Sequence, residues 1–402
     1  MKQEYRVYGS RWVVLVVFMY LVALSQLYWL NFAAIETYIE AYLKIPPSDA
    51  MWLTLVQPVF MILLTMPAGI IIDRIGLKWG VWIGALFTGL GAIMRVFDPA
   101  SFMVLMIGQT LIAIGQPFIL NGTTKIAIVW FAPKEEGTAI GLASLAQFIG
   151  MMVALGLTPS IVEGSGIETM LWIYGIAGLA GTLAFSFVPK QPKTPARAAD
   201  QDLSAVRWGS IGTILKDRNF LLLGFIAFAG IGAFNGLALW LEKILHEMHG
   251  LAMTDAGTIS GIMIICATIS CFVVPLISDK IRRRRLFILI ATLAATACLT
   301  FMISAPDYTS NLINGILIGV LWLSALPIIL TMSAELTGAK YAGISAGWLF
   351  FIGNIAALVL GAAVESLRGL TGNFVLALLM LAAVTLAAFF VALFMKDTHP
   401  QQ

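Results

Sequence analysis

Charge is what this chain has least of. Only 11% of its 402 residues are Asp, Glu, Lys or Arg, against 60% hydrophobic, and the mean hydropathy is +0.93. A water-soluble domain of that balance would have no surface to offer solvent. Cysteine and histidine are also scarce, three of each. Cys266, Cys271 and Cys298 all fall inside apolar runs, with neither metal-site spacing nor a disulfide framework. His246 and His249 stand as His-Glu-Met-His, which supplies two donors where a metal site needs three or four. No metal and no cofactor is expected. The net charge of +3 is small and gives no case for a nucleic-acid partner. The spans contain no nucleophile–base pair, so an enzyme is not expected. The 18 methionines read as packing between helices.

What is present is a series of long apolar runs, each of about 20 residues, the length that crosses a bilayer as a helix. Twelve are counted, at roughly 12–34, 50–72, 79–97, 101–130, 137–160, 167–188, 219–243, 254–278, 285–304, 309–334, 341–364 and 372–395. The first follows Lys2, Arg6 and Arg11 without a small-residue cleavage site, so it reads as a membrane helix and not a removed leader. Between the sixth and seventh runs, Pro189, Pro192 and Pro195 alternate with charged residues. The expected organisation is therefore a six-helix bundle at 1–188, a polar linker at 189–218 and a second bundle at 219–402.

Lysine and arginine concentrate on the side of the N-terminus. Lys2, Arg6, Arg11, Arg74, Lys78, Lys134, the linker cations, Lys280, Arg282 to Arg285, Lys340 and Lys396 fall there. Only Lys44, Arg95, Lys243 and Arg368 fall on the other side. The asymmetry places both termini and the linker in the cytoplasm; the expected location is a plasma (inner) membrane. A loop also repeats. Gly69-Ile70-Ile71-Ile72-Asp73-Arg74-Ile75-Gly76-Leu77-Lys78 recurs about two hundred residues later as Pro275-Leu276-Ile277-Ser278-Asp279-Lys280-Ile281-Arg282. Short polar, glycine-bearing loops also follow the fourth and tenth spans, at Trp130-Phe131-Ala132-Pro133-Lys134-Glu135-Glu136-Gly137-Thr138-Ala139 and at Glu335-Leu336-Thr337-Gly338-Ala339-Lys340-Tyr341-Ala342-Gly343. Duplicated helical halves are the build of a transporter.

Twelve spans, a six-plus-six repeat and the Asp73-Arg74-x-Gly76-x-Lys78 loop resemble the major facilitator superfamily. Three segments carry a finer likeness. Tyr28-Trp29-Leu30-Asn31-Phe32-Ala33, the stretch from Gln116-Pro117 through Asn121 and Lys125 to Trp130-Phe131-Ala132-Pro133-Lys134-Glu135, and Leu326-Pro327 through Glu335-Leu336-Thr337 are similar to the feline leukaemia virus subgroup C receptor-related family. That resemblance implies an all-α, twelve-helix carrier with 6+6 pseudo-symmetry, working as a monomer. It also implies facilitative transport of a small amine such as choline or ethanolamine. The family's aromatic cage falls here on Trp29, while its seventh-span tyrosine falls on Asn235 and its eleventh-span glutamine on Asn354. The repeated loop, with Asp73, Arg74, Lys78 and Asp279, would latch the halves in the outward-open state.

Polar groups inside spans are costly in lipid and usually face an interior cavity or a neighbouring helix. Trp29, Asn31, Gln116, Asn121, Asn235 and Asn354 are therefore the candidate substrate contacts. Trp29 can offer its π face to a cation, an attraction of about 0.5–2 kcal/mol. The competing role is an interfacial belt tryptophan, and its depth in the span argues against that. Gln116 precedes Pro117, whose missing N–H loosens the helix locally. For Gln116, Asn235 and Asn354 the competing role is a helix-to-helix hydrogen bond. Lys125 and Glu335 read as gating residues at span ends, Lys125 with snorkelling as the competing role. Glu36 is the candidate for proton coupling, with a solvated outer-mouth charge as its alternative. The rival function is a proton-coupled exporter of amphipathic compounds or haem, relying on Glu36 or Glu335. Beyond substrate and membrane lipid, no partner is expected.

Overall fold

The computed structural model describes residues 9–131, 135–189, 216–281, 283–305, 307–337 and 342–397. The described residues are helical nearly throughout. The N-terminal part comprises α1 (Arg11–Leu30), α2 (Glu36–Leu43), α3 (Pro47–Ala50), α4 (Trp52–Ile75), α5 (Leu77–Met94), α6 (Phe102–Trp130), α7 (Glu136–Met152) and α8 (Thr158–Ser186). The C-terminal part comprises α9 (Arg218–His249), α10 (Met253–Ile281), α11 (Arg284–Ser304), α12 (Tyr308–Leu317), α13 (Ala325–Thr337), α14 (Ala342–Thr371) and α15 (Val375–Phe394). The chain forms two compact units, Met1–Ala205 and Val206–Gln402. The central part of the expected linker, 190–215, lies outside the described residues.

Among the described residues, eleven helical stretches are long and apolar enough to cross a membrane. One of them, Thr138–Ser186, is 49 residues long, about twice the length a bilayer requires. It is divided at Gly166, whose φ of 80° and ψ of 166° interrupt the helical geometry. A residue with a side chain would be strained there, and glycine is not. The fifth and sixth spans therefore meet at Gly166, and the architecture is twelve membrane helices with no strand among the described residues.

The two units repeat the same packing. In the first, α1 lies on α7 and α5 on α8. In the second, the corresponding spans pair alike, α9 on α14 and α11 on α15. Small residues permit both of the first-named contacts. A Cβ at Gly150 of α7 would run into the backbone of Ala23 in α1, and a Cβ at Gly232 of α9 would run into Ala356 of α14. Lipid tails are as apolar as leucine, so close backbone approach and dispersion hold such helices together. The large apolar side chains pointing away from each unit, such as Val13, Val16, Leu63, Trp172, Ile269, Phe272 and Phe390, are exposed, as a lipid-facing surface requires.

Caps finish several helices. Ser101 accepts from Val104 N, Asp217 from Phe220 N and Asp307 from Ser310 N, each satisfying a donor that the helix start leaves free. Span one departs from the continuous run expected over 12–34. After Asn31 N–H donates to Leu27 O, the next backbone bond is Ile35 N–H to Phe32 O, and Ala33–Ile35 form a 3-10 turn. Short π-helical segments also interrupt two spans, Val153–Leu157 and Ile318–Trp322. Such segments are frequent at functional sites.

Gly150→Leu is expected to cost about 1–3 kcal/mol, because an overpacked contact forces backbone shifts. Thermal unfolding of the detergent-purified protein measures this, with Gly164→Ala, where a Cβ meets nothing within 4 Å, as the neutral control.

Candidate functional site

The interruption of span one positions the first group of candidates. Trp29 lies in the last turn of α1 and is half-buried, and its indole Nε1 has no hydrogen-bond partner. Asn31 is fully buried just past the helix end. Its Nδ2 faces Met170 Sδ of α8 at 3.9 Å, and its Oδ1 accepts from no donor. Glu36 is the first residue of α2 and is only 6% exposed, so it is not the solvated outer-mouth charge that was its alternative. A carboxylate in the first turn of a helix meets the positive end of the helix dipole.

Gln116 lies on α6, which packs against α1. It is 3% exposed and its Oε1 is without a donor. α6 remains one helix through Pro117. Asn121, one turn further on, donates from Nδ2 to Thr65 O of α4 at 2.6 Å, so its amide ties two helices together. In the second unit Asn235 is half-buried on α9, and Asn354 lies on α14, which packs against α9. Asn354 Nδ2 donates to Phe350 O within its own helix at 2.9 Å.

The gating candidates lie at helix ends. Asp73 and Asp279 fall near the ends of α4 and α10, and both side chains lie outside the described residues. Arg74 is exposed. Lys78 Nζ donates to Ser186 O at 3.3 Å, beside the bond from Trp82 Nε1 to Ser186 Oγ at 2.8 Å, so Lys78 meets the carbonyl end of α8. Lys125 is half-buried on α6. Glu335 pairs with Arg284 at 2.9 Å, joining the end of α13 to the start of α11. In the first unit Arg11 grips Glu135 through two bonds of 3.1 Å, from Nε and from Nη2. Both pairs bring together residues distant in the chain, at the end of each unit that carries the repeated loop. His246 Nδ1 lies 3.0 Å from Leu251 O at the close of α9.

Two of the cations counted on the outer side are buried. Arg95 and Lys243 are both 0% exposed. Arg95 caps the end of α5, and its guanidinium lies over the rings of Tyr28 and Phe32, at 5.1 and 5.5 Å from their centroids. Lys243 Nζ lies 5.3 Å from the Trp240 ring. Arg95 Nη1 donates to Gln109 Oε1 at 2.9 Å, and Gln109 Nε2 donates to Tyr28 O at 2.7 Å. The Tyr28 hydroxyl donates to Tyr174 O at 2.7 Å, and Tyr174 OH shares a hydrogen with Thr158 Oγ1 at 2.8 Å. Sequence reasoning missed this network. Its one visible signal was Gln109 in the middle of a span, where a lone amide needs a partner.

The family model described as Major Facilitator Superfamily matches residues 16–362, and the chain belongs to that superfamily. It is a multi-pass integral membrane protein and a transporter of that superfamily. Among curated relatives, it is 27% identical to solute carrier family 49 member A3 of Danio rerio, over 88% of this chain and 78% of that one. It is 26% identical to the human choline/ethanolamine transporter FLVCR2, over 89% of this chain and 71% of that one. A bacterial homologue of the human lysosomal transporter Spinster, solved inward-facing and unoccupied, matches with a TM-score of 0.77 at 16% identity, over 98% of this chain and all of that one. That likeness speaks to the fold alone.

Asn121→Leu is expected to lower stability by about 1 kcal/mol, the worth of an interhelical hydrogen bond in a membrane. The shift in thermal unfolding midpoint checks it, and Thr65→Ala, which keeps the accepting carbonyl, should leave the midpoint in place.

Proposed function

We propose that this transporter moves a small amine-bearing solute, of the choline or ethanolamine kind, by alternating access of its two six-helix halves. Trp29 supplies the aromatic face, and Asn31, Gln116, Asn235 and Asn354 supply polar contacts. The observation that carries the reading is the chemistry left open in the first unit. Two buried amide oxygens, Asn31 Oδ1 and Gln116 Oε1, have no donor, and a half-buried tryptophan stands two residues from one of them. Acceptor oxygens and a π face suit a group that carries positive charge and hydrogen-bond donors. The similarity to choline/ethanolamine transporters, at 26% identity, supports the same class. In this reading Asp73, Arg74, Lys78, Asp279, Lys125 and Glu335 bias the balance between the inward and outward states, leaving the site itself unchanged. The lysine and arginine asymmetry supports cytoplasmic termini, and we assign the carrier to the plasma membrane as a monomer.

The test is thermal stabilisation of the purified protein by choline, ethanolamine, pyridoxine, haem and simple amines. A ligand present at a hundred times its dissociation constant stabilises by about 2.7 kcal/mol. Trp29→Ala is expected to weaken binding of a quaternary amine about two- to thirtyfold, the range a cation–π contact spans. Equal stabilisation of parent and variant would remove Trp29 from the site, and no response to any amine would remove the substrate class.

A second reading, a proton-coupled exporter, draws on the burial of Glu36 at the start of α2, since a buried carboxyl can relay protons. The two readings part on one measurement. Uptake into proteoliposomes under an imposed pH gradient should be unaffected for the facilitative carrier. For the coupled exporter it should respond to the gradient and lose that response in Glu36→Gln.

A further inference from the structure

We infer that Arg95 and Gln109 are positioning residues for the amine site, acting through the backbone of span one. The inference rests on the reading of Trp29 as a substrate contact. Arg95 is fully buried, and a lone charge in that setting costs several kcal/mol unless it does something that repays the cost. The ion pairs formed among the described residues do not include it. Its guanidinium instead lies over two aromatic rings of span one, Tyr28 and Phe32. These residues bracket Trp29 and Asn31.

Chemistry then sets the direction of every bond in the chain of contacts. Arginine can only donate. Nη1 therefore claims the oxygen end of the Gln109 amide, at 2.9 Å. That turns the nitrogen end, a donor, towards Tyr28 O at 2.7 Å, and a carbonyl can only accept. Wedged between a pure donor and a pure acceptor, the Gln109 amide has one orientation. The carbonyl it holds is one that the end of α1 releases from helical bonding. The far side of the same residue is tethered as well, through Tyr28 OH to Tyr174 O. The backbone that carries Trp29 is thereby fixed from α5, α6 and α8 together. Shifts of about 1 Å at a supporting shell are enough to loosen a site.

A role in stability alone predicts different consequences from a role in positioning, and Gln109→Glu separates them. The new carboxylate would give Arg95 a counter-charge, but it would face Tyr28 O acceptor to acceptor. Uptake of radiolabelled choline into proteoliposomes is the assay, with Trp29→Ala, Gln109→Glu, Arg95→Met and Arg95→Lys beside the parent. Positioning predicts that Gln109→Glu keeps the unfolding midpoint within a few degrees and raises KM at least fivefold, with the maximal rate changed less than twofold. Arg95→Lys, which retains a donor, should recover part of the affinity that Arg95→Met loses. A KM within twofold of the parent for Gln109→Glu, while Trp29→Ala raises it, overturns the positioning role and leaves the amine site intact. An unchanged KM in Trp29→Ala, or no choline uptake at all, overturns the reading of Trp29 instead. In that event the network is judged by the fluorine resonance of 5-fluorotryptophan at position 29, assigned by its loss in Trp29→Phe. A shift or splitting of that resonance in Gln109→Glu supports the positioning role, and an unmoved resonance overturns it.

Discussion

A bilayer offers no hydrogen bonds, and almost everything in this molecule answers to that. Every backbone donor and acceptor inside the hydrocarbon must be satisfied by the protein itself, which leaves the α-helix as the only economical span. Each departure from helix then has to be closed by a side chain or sealed within the unit. The end of α1 illustrates the rule. The carbonyl that α1 releases at Tyr28 is taken by Gln109, and the polar groups beyond it are buried within the first unit. The same constraint explains why serine and threonine in the spans turn back onto their own helices, as Thr88 does onto Gly84 O and Thr292 onto Ile288 O.

Without a hydrophobic force between helices in lipid, shape decides which surfaces meet. Gly150 against Ala23 and Gly232 against Ala356 lie in corresponding span pairs, with the glycine on the fifth span in the first unit and on the seventh in the second. Among the described residues the ion pairs stand at span ends, Arg11–Glu135 and Arg284–Glu335 at the end of each unit that carries the repeated loop, and Arg368 with Glu247 and Glu365 at the opposite end of the second unit. Arg11 with Glu135 and Arg284 with Glu335 serve the two units alike in pinning a span end, although they join different pairs of spans. Two buried cations also meet aromatic faces, Arg95 over Tyr28 and Lys243 against Trp240, and such faces attract positive charge.

Much of this was legible in the residues. Span positions followed from hydropathy to within a few residues, because the requirement of length and apolarity is local. The fifth and sixth spans were counted as separate runs, 137–160 and 167–188, and the break between them falls at Gly166. The burial of Asn31 and Gln116 was legible too, since an amide in a span has few places to go. Their partners were not. Nothing in the sequence distinguishes Asn121, tied to Thr65, from Gln116, whose oxygen remains open. The surroundings of Arg95 were not legible either. The sequence puts it at the outer end of the third span, and only packing brings the rings of Tyr28 and Phe32, more than sixty residues upstream, against it.

The sequence alone determined the class, the number of spans, their approximate limits and the duplication, because each of these depends on the free energy of transferring a segment into lipid and on patterns along the chain. The tertiary structure decided which polar groups are spent on holding helices together and which keep their chemistry open. Those outcomes depend on hydrogen bonds between residues tens to over a hundred positions apart, such as Gln109 with Tyr28 and Tyr28 with Tyr174. They are set when helices pack, and no local pattern encodes them.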